Sequence, residues 1–197
     1  MNLLSKYKKH RFLFEQLVHR DFTKKYKRTT LGVAWSVLSP LMSLMVMNLI
    51  FKTLLGSDIP HYTIYLFSGQ LVFSFFTDST NEGMTSLINN ADIFSKVNVP
   101  KYMFLFSKNI SSLIIFAITL SVYFIFVAVD GLPFTWKFFL LLFPIGCQIM
   151  FNLGMGLILS ALFMFFRDIQ YLYTLFTQLL MYVSAIFYST DQFSEVA

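Results

Sequence analysis

Residues 19–40 read HRDFTKKYKRTTLGVAWSVLSP, and this stretch joins a basic segment to an apolar one. Its first ten positions contain five lysines and arginines together with His19. From Leu31 to Leu55 the only charged residue is Lys52. A helix that leaves the anionic cytoplasmic face of a membrane and enters hydrocarbon needs such a boundary between basic and apolar residues. The stretch therefore predicts a membrane protein whose first span begins near Leu31.

The composition supports a membrane protein. The 197 residues are 56% hydrophobic and only 13% charged, which leaves too few charged side chains to cover a soluble domain of this length. The net charge of +5 is unevenly placed, because nine of the fifteen lysines and arginines lie in the first 28 residues. We therefore expect a basic segment at the membrane surface and no nucleic-acid partner.

Five apolar runs are long enough to cross about 30 Å of hydrocarbon, which takes about 20 residues each. They cover residues 31–55, 62–82, 103–129, 138–166 and 170–189. The predicted fold is an all-α polytopic bundle with five transmembrane helices, and a sixth is expected beyond Ala197. Residues 1–30 (the arm) form a cytoplasmic amphipathic interface helix. Residues 31–197 form the transmembrane domain, whose C-terminal end we interpret as truncated.

Positive charges predict the orientation. The side of the bundle that holds the arm carries thirteen lysines and arginines, nine in the arm and four elsewhere. The four are Lys96, Lys101, Lys108 and Arg167. The opposite side carries two, Lys52 and Lys137. The arm is therefore predicted to be cytoplasmic.

The arm has the pattern of an amphipathic helix. Phe14, Val18, Phe22 and Tyr26 recur every four residues, with Leu17 beside them. Such a helix lies in the membrane interface. It can serve as a topology anchor or as a docking surface for a cytoplasmic partner, and both roles can hold at once.

Residues 89–101, NNADIFSKVNVPK, form the longest polar connection in the chain. The polar residues at its start offer N-cap chemistry for a short helix, and Pro100 prevents a straight run into the next span. We expect a short helix parallel to the membrane that presents Phe94 and Lys96 to a soluble partner. A plain connecting loop is the alternative.

Two acidic residues lie inside the second predicted span. Asp78 and Glu82 are four residues apart and share one helix face. They could form a proton or ion relay, because acidic groups at membrane depth are costly and often functional. Alternatively, they lie near the headgroups and pair with Lys96 or Lys101.

Small residues and tyrosines distinguish the last two spans. Gly154, Gly156 and Ser160 predict a face that allows close helix packing. In the fifth span, tyrosines lie at both ends, where aromatic residues are common because their rings suit the membrane–water interface. A deeper tyrosine, Tyr182, needs a hydrogen-bond partner, and a row of tyrosines could also face a passing sugar chain.

Several kinds of site are absent from the sequence. It contains no GxxxxGK[ST] phosphate loop, its single cysteine is Cys147, and its three histidines are scattered. We therefore expect no catalytic residue, no metal site and no cofactor, and we predict that the chain is not an enzyme.

The order of the motifs resembles that of bacterial ABC transporter permeases of the type-2 polysaccharide-export class. Residues 17–40 are similar to the "RD…RY…T.LG..W….P" entry into that family's first span. The matching residues are Arg20, Asp21, Tyr26, Thr30, Leu31, Gly32, Trp35 and Pro40.

Later segments resemble the same family. YLFSGQLVFSFF (65–76) is similar to its second-span "Y…G…W.FF", with Phe73 in place of tryptophan, and 89–101 to its cytoplasmic "N…LI.K..FP" connection. FRDIQY (166–171) resembles its "RD" turn, and SAIFYS (184–189) its "SP..Y" ending, with alanine in place of proline.

The resemblance implies a half-transporter. Two copies of the permease would pair as a homodimer with two separate ATP-binding cassette subunits and export lipid-linked O-antigen, capsule or teichoic-acid chains through the bacterial inner membrane. Carried over to this chain, the ATPase-coupling residues are Arg20, Tyr26, Arg28, Phe94, Lys96, Pro100 and Lys101. The candidates for lining the conduit are Trp35, Tyr171, Tyr173 and Tyr182.

We therefore predict a permease subunit that is surrounded by membrane lipid and moves a lipid-linked glycan outward with energy from its partner ATPase. One alternative is a permease of the same class that exports a drug, a lipid or another small molecule. Another is a membrane scaffold without a transport role.

Overall fold

The structure is a computed structural model that describes residues 3–26, 31–55, 60–96, 99–184 and 186–187. Every regular element in these residues is helical, which confirms the predicted all-α class. The α-helices are α1 (Leu3–Tyr26), α2 (Trp35–Leu55), α3 (Tyr62–Thr85), α4 (Ala91–Lys96), α5 (Tyr102–Val129), α6 (Leu142–Phe165) and α7 (Ile169–Val183). Short 3₁₀ turns cover Gly32–Ala34, Ile88–Asn90 and Trp136–Leu141.

Each of the five predicted spans contains a helix: α2, α3, α5, α6 and α7. Two stretches, Tyr102–Val129 and Trp136–Phe165, are long and apolar enough to cross a membrane by length and composition. Trp35–Ile50 is a shorter apolar helix. The helices are thus confirmed, whereas the number that crosses the membrane stays a prediction.

The fifth predicted span differs from the structure, because α7 ends at Val183 instead of reaching residue 189. Its 15 residues rise about 22 Å, less than the roughly 30 Å of a hydrocarbon core. Ser184 is extended, and an extended residue covers about twice the distance of a helical one. The Tyr62 hydroxyl at the start of α3 donates to the Phe187 carbonyl at 2.9 Å. The chain therefore reaches the level of Tyr62 without a longer helix.

Contacts at the two ends of the bundle match the predicted grouping of the connecting segments. At one end, His61 Nδ1 contacts Asp130 Oδ2, which joins the segments before α3 and after α5. At the other end, Arg20 Nη2 on the arm donates to Asn90 Oδ1 at 2.7 Å. These two pairings agree with the predicted grouping, and the orientation of the two ends relative to the cytoplasm stays a prediction.

The central helix is α3, which packs most extensively against α5 and α6. A Cβ on Gly83 would lie only 3.0 Å from the Gly156 Cα, so the two glycines allow α3 and α6 to approach closely. Ser160 is buried, as the predicted small-residue face requires. Gly154 is not part of that face, because a Cβ there would have no neighbour within 4 Å. Residues that are two positions apart on a helix point about 200° away from each other, which places residues 154 and 156 on opposite sides of α6.

The predicted helix of the arm is confirmed by α1, which packs against the start of α5. Leu17 is buried with Val99, Met103 and Phe104, and we call these four residues the arm cluster. The chain then turns into α2 at Gly32, whose φ of +52° lies in the left-handed region that favours glycine.

Candidate functional site

A charged side chain is buried where α1 meets α5. The Asp21 side chain is only 2% exposed. Its Oδ1 accepts hydrogen bonds from Arg20 Nη2 at 2.7 Å and Nε at 3.0 Å. Its Oδ2 accepts one from the Ser107 hydroxyl at 3.1 Å. Both carboxylate oxygens are therefore bonded, which offsets the desolvation of the charge.

Further polar contacts connect Asp21 and Arg20 to α3 and to the turn at residue 90. Lys108 Nζ on α5 lies 3.7 Å from Asp21 Oδ1 and donates to Glu82 Oε2 on α3 at 2.7 Å. Arg20 also donates to Asn90, whose own Nδ2 donates to the Ser86 carbonyl at 2.7 Å. We call the connected residues the arm network: Arg20, Asp21, Glu82, Asn90, Ser107 and Lys108.

The arm network contains two cations and two anions, of which Asp21 and Lys108 are buried while Arg20 and Glu82 are 39% and 36% exposed. Lys108 is 10% exposed and contacts both carboxylates, Asp21 and Glu82. Removal of one partner from such a set leaves an uncompensated charge, which costs far more than the loss of an exposed ion pair. The network therefore holds the arm, the turn at residue 90 and the ends of α3 and α5 in one arrangement.

A second polar layer lies next to it in the bundle. Asn109 Nδ2 donates to the Ser79 hydroxyl at 2.7 Å, and the Tyr173 hydroxyl donates to Thr80 Oγ1 at 2.7 Å. Both bonds tie α3 to a neighbour, α5 in the first case and α7 in the second. Polar side chains that bond between helices stabilise packing in an apolar environment.

The predicted coupling residues whose side chains the structure describes lie at the end of the bundle that holds the arm network. Arg20 belongs to the network itself. Lys96 is exposed at the end of α4, Pro100 is half-buried, and Lys101 is exposed at the start of α5. The side chains of Tyr26 and Phe94 and all of Arg28 lie outside what the structure describes.

The predicted partner segments touch each other. Ile93 of α4 packs on the arm cluster, which contains Leu17 of the arm and Val99 of the connection between α4 and α5. The short predicted helix exists as α4. Among the polar residues that precede α4, Asn90 uses its carboxamide to bond to Arg20 and Ser86.

The aromatic candidates divide between two environments. Tyr171 and Tyr182 are 72% and 59% exposed, and Trp35 is 39% exposed. Positions 171 and 182 are eleven residues apart, close to three helical turns, so they share one face of α7. Tyr173 is buried and bonded to Thr80. It holds α7 against α3, whereas the side chains of Trp35, Tyr171 and Tyr182 are exposed.

Most of the arm network was not predicted from the sequence. Asp21 was quoted only as part of a motif, and Glu82 was expected to meet Lys96 or Lys101 but pairs with Lys108. One signal was present, since Lys108 lies six residues inside an otherwise apolar helix. A cation at that depth requires an acidic partner.

Two of the described helices are long and apolar enough to cross a membrane, as an integral membrane protein requires. The chain belongs to the ABC-2 type transporter family, whose model matches residues 13–197. Members of this family are membrane subunits that work with a separate ATP-binding partner.

Two similar proteins carry names that describe export. The chain is 32% identical to an O-antigen export system permease protein RfbA from Klebsiella pneumoniae, over 93% of this chain and 73% of the relative. It is 26% identical to a protein of the same name from Myxococcus xanthus, over 91% of this chain and 69% of the relative.

Proposed function

We propose that this chain is the transmembrane permease subunit of an ATP-driven exporter that moves a lipid-linked polysaccharide across the cytoplasmic membrane. The observation that carries the proposal is the 32% identity, over 93% of the chain, to a permease named for O-antigen export. The order of motifs from Arg20 to Pro40 supports the same assignment.

The topology proposed for this function has five spans and a cytoplasmic N-terminus. It is supported by the five helices and by the thirteen-to-two distribution of lysines and arginines between the two ends. In this arrangement the arm network lies at the cytoplasmic end, and the contact between His61 and Asp130 lies outside.

We assign the coupling to the ATPase to the arm and to residues 89–101. Two ATP-binding subunits would dock against two copies of the permease, each at this surface. Because the arm cluster and the bond from Arg20 to Asn90 join the two segments, a push on either one moves both. The ion pair of Lys108 and Glu82 would carry that motion into α3 and α5.

The conduit is proposed to run along the exposed faces of α2 and α7. Trp35, Tyr171 and Tyr182 offer apolar ring faces, and the tyrosines add hydroxyl groups that can bond to sugars. Tyr173 would contribute by holding α7 in place through its bond to Thr80.

The experiment is complementation in cells that lack the permease but keep its ATPase and the enzymes that make the glycan. Glycan on the outer surface is measured with a lectin or an antibody. Restored surface glycan is expected. If cells with correctly inserted permease keep the glycan inside, or export only small molecules, the proposal is wrong.

A further inference from the structure

A groove opens between α2, α3 and α7, at a distance from the arm network. It has a volume of about 350 Å³, near the lower end of the roughly 300–1,000 Å³ of small-ligand sites. Its polar lining residues are Gln70, Ser74 and Thr77 on α3 and Thr174, Thr177 and Gln178 on α7. We call this space the polar groove.

The two sets of polar residues occupy matching helix faces. Positions 70, 74 and 77 follow the i, i+4, i+7 spacing of one face of α3, and positions 174, 177 and 178 follow the i, i+3, i+4 spacing of one face of α7. Gln70 lies eight residues into the 24-residue α3, about 12 Å from its start. Gln70 therefore lies well inside the length of α3, at a level of the span where polar groups without partners are costly.

The hydrogen bonds of these side chains leave acceptors in the groove. Thr174 donates to the Gln170 carbonyl at 2.8 Å, and Thr177 donates to the Thr174 carbonyl at 2.9 Å. Thr77 likewise donates to a backbone carbonyl of its own helix, at 3.1 Å. A hydroxyl that has donated its proton keeps lone pairs that accept. The threonines therefore present acceptor oxygens.

Gln70 is the clearest sign of a missing partner. It is only 9% exposed, and its Oε1 has no hydrogen-bond partner among the described residues. A buried unpaired acceptor of this kind is costly, and native proteins keep few of them. The side chain lines the polar groove, and because Oε1 itself has almost no accessible area, a donor in the groove reaches it once the side-chain amide turns toward the groove.

The lining also excludes one chemical class. No lysine, arginine, aspartate or glutamate is among the described residues that line the polar groove. A phosphate or another anion would find no countercharge, whereas a neutral molecule with many hydroxyl groups would find acceptors. The apolar side chains of Phe73 and Met181 complete the wall and suit the C–H faces of a sugar ring.

We infer that the polar groove is a hydrogen-bonding subsite for neutral sugar units of the exported chain, with Gln70 as its main contact. This inference rests on the proposed function and adds a set of contacts on α3 to the aromatic candidates on α2 and α7. Its volume suits a short stretch of glycan rather than a whole chain.

The first test uses the permease in complex with its ATPase, reconstituted in vesicles with lipid-linked glycan from cells that lack the exporter. Gln70→Leu should raise the KM for that glycan about tenfold with little change in kcat, as expected when a binding contact is lost. The matched control is Gln148→Leu on α6, an amide that bonds to Val72 of α3 outside the groove and should leave KM near wild type. Equal KM values for the two variants would overturn the inference.

A second measurement avoids any effect of Gln70→Leu on folding. Gln178→Cys is made in a Cys147→Ser background, because Cys147 is exposed and would react. Lipid-linked glycan should slow maleimide labelling of position 178 severalfold, and the carrier lipid without its glycan should not. Protection by the carrier lipid alone, or no protection, would overturn the subsite. If the wild-type complex does not export glycan at all, the proposed function fails first.

Discussion

Asp21 on the arm accepts a hydrogen bond at 3.1 Å from Ser107 on α5, a residue 86 positions further along the chain. This bond brings a carboxylate of the arm into the bundle. The same carboxylate lies 3.7 Å from the ammonium group of Lys108. Because Lys108 also binds Glu82, the arm is connected through charged groups to the central helix α3.

Substitution of Asp21 by asparagine should destabilise the protein. The variant keeps the shape of the side chain but leaves Arg20 and Lys108 with one fewer counterion in a buried site. We expect a loss of about 3 kcal/mol, measured by thermal unfolding in detergent. The control is Glu15→Gln in the exposed pair with Arg11, which should change stability by less than about 1 kcal/mol. Equal effects of the two substitutions would mean that the arm network contributes no more than a surface pair.

The pair of Lys108 and Glu82 should show energetic coupling. Lys108→Met and Glu82→Gln are made singly and together, and the stability of all four proteins is compared. Residues in direct contact within one network typically couple by about 0.5–3 kcal/mol, and the 2.7 Å contact places this pair in that range. Additive effects would show that α3 and α5 are held together without this ion pair.

The close approach of α3 and α6 gives a packing prediction. Gly83→Ala places a methyl group 3.0 Å from the Gly156 Cα, so the helices must separate, at a cost of about 1–3 kcal/mol. Gly154→Ala is the matched control, because a methyl group there meets nothing within 4 Å. Thermal unfolding of both variants decides the matter, and similar melting temperatures would contradict the packing.

Topology can be tested by labelling single cysteines in a Cys147→Ser background. Thr135 and Ser95 are both exposed, and they lie in connections at opposite ends of the bundle. A membrane-impermeant maleimide added to intact cells should label Thr135→Cys and leave Ser95→Cys unlabelled until the membrane is opened. The reverse pattern would invert the proposed orientation.

The fold was largely predictable from the sequence because apolar length and charge asymmetry act locally along the chain. The five helices and the short helix α4 follow from such patterns. The end of α7 was not predictable from such patterns. Ser184 is extended and ends the helix, and Phe187 a few residues later accepts a hydrogen bond from Tyr62. Such contacts between distant residues have no local sequence signal.

The site was predictable only in part for the same reason. Arg20 and the residues of 89–101 were found through a motif, and the structure brings their segments together through the arm cluster. The partner of Glu82 depends on the rotation of α3 relative to α5, which hydrophobic patterning does not fix. Tyr173 shows the same limit, since its residue type fits a conduit while its position buries it against Thr80.

The central claim is that the arm and residues 89–101 couple ATP hydrolysis to export. It is tested most directly by measuring, in one vesicle preparation, the glycan moved per ATP hydrolysed by the permease and its ATPase. Lys96 is exposed at the end of α4, and neither residue of the double variant Lys96→Glu with Phe94→Ala belongs to the arm network, so insertion and folding should be preserved. We predict that this variant moves little glycan and no longer responds to ATP hydrolysis. Export per ATP equal to that of the wild type would contradict the assignment of coupling to this surface.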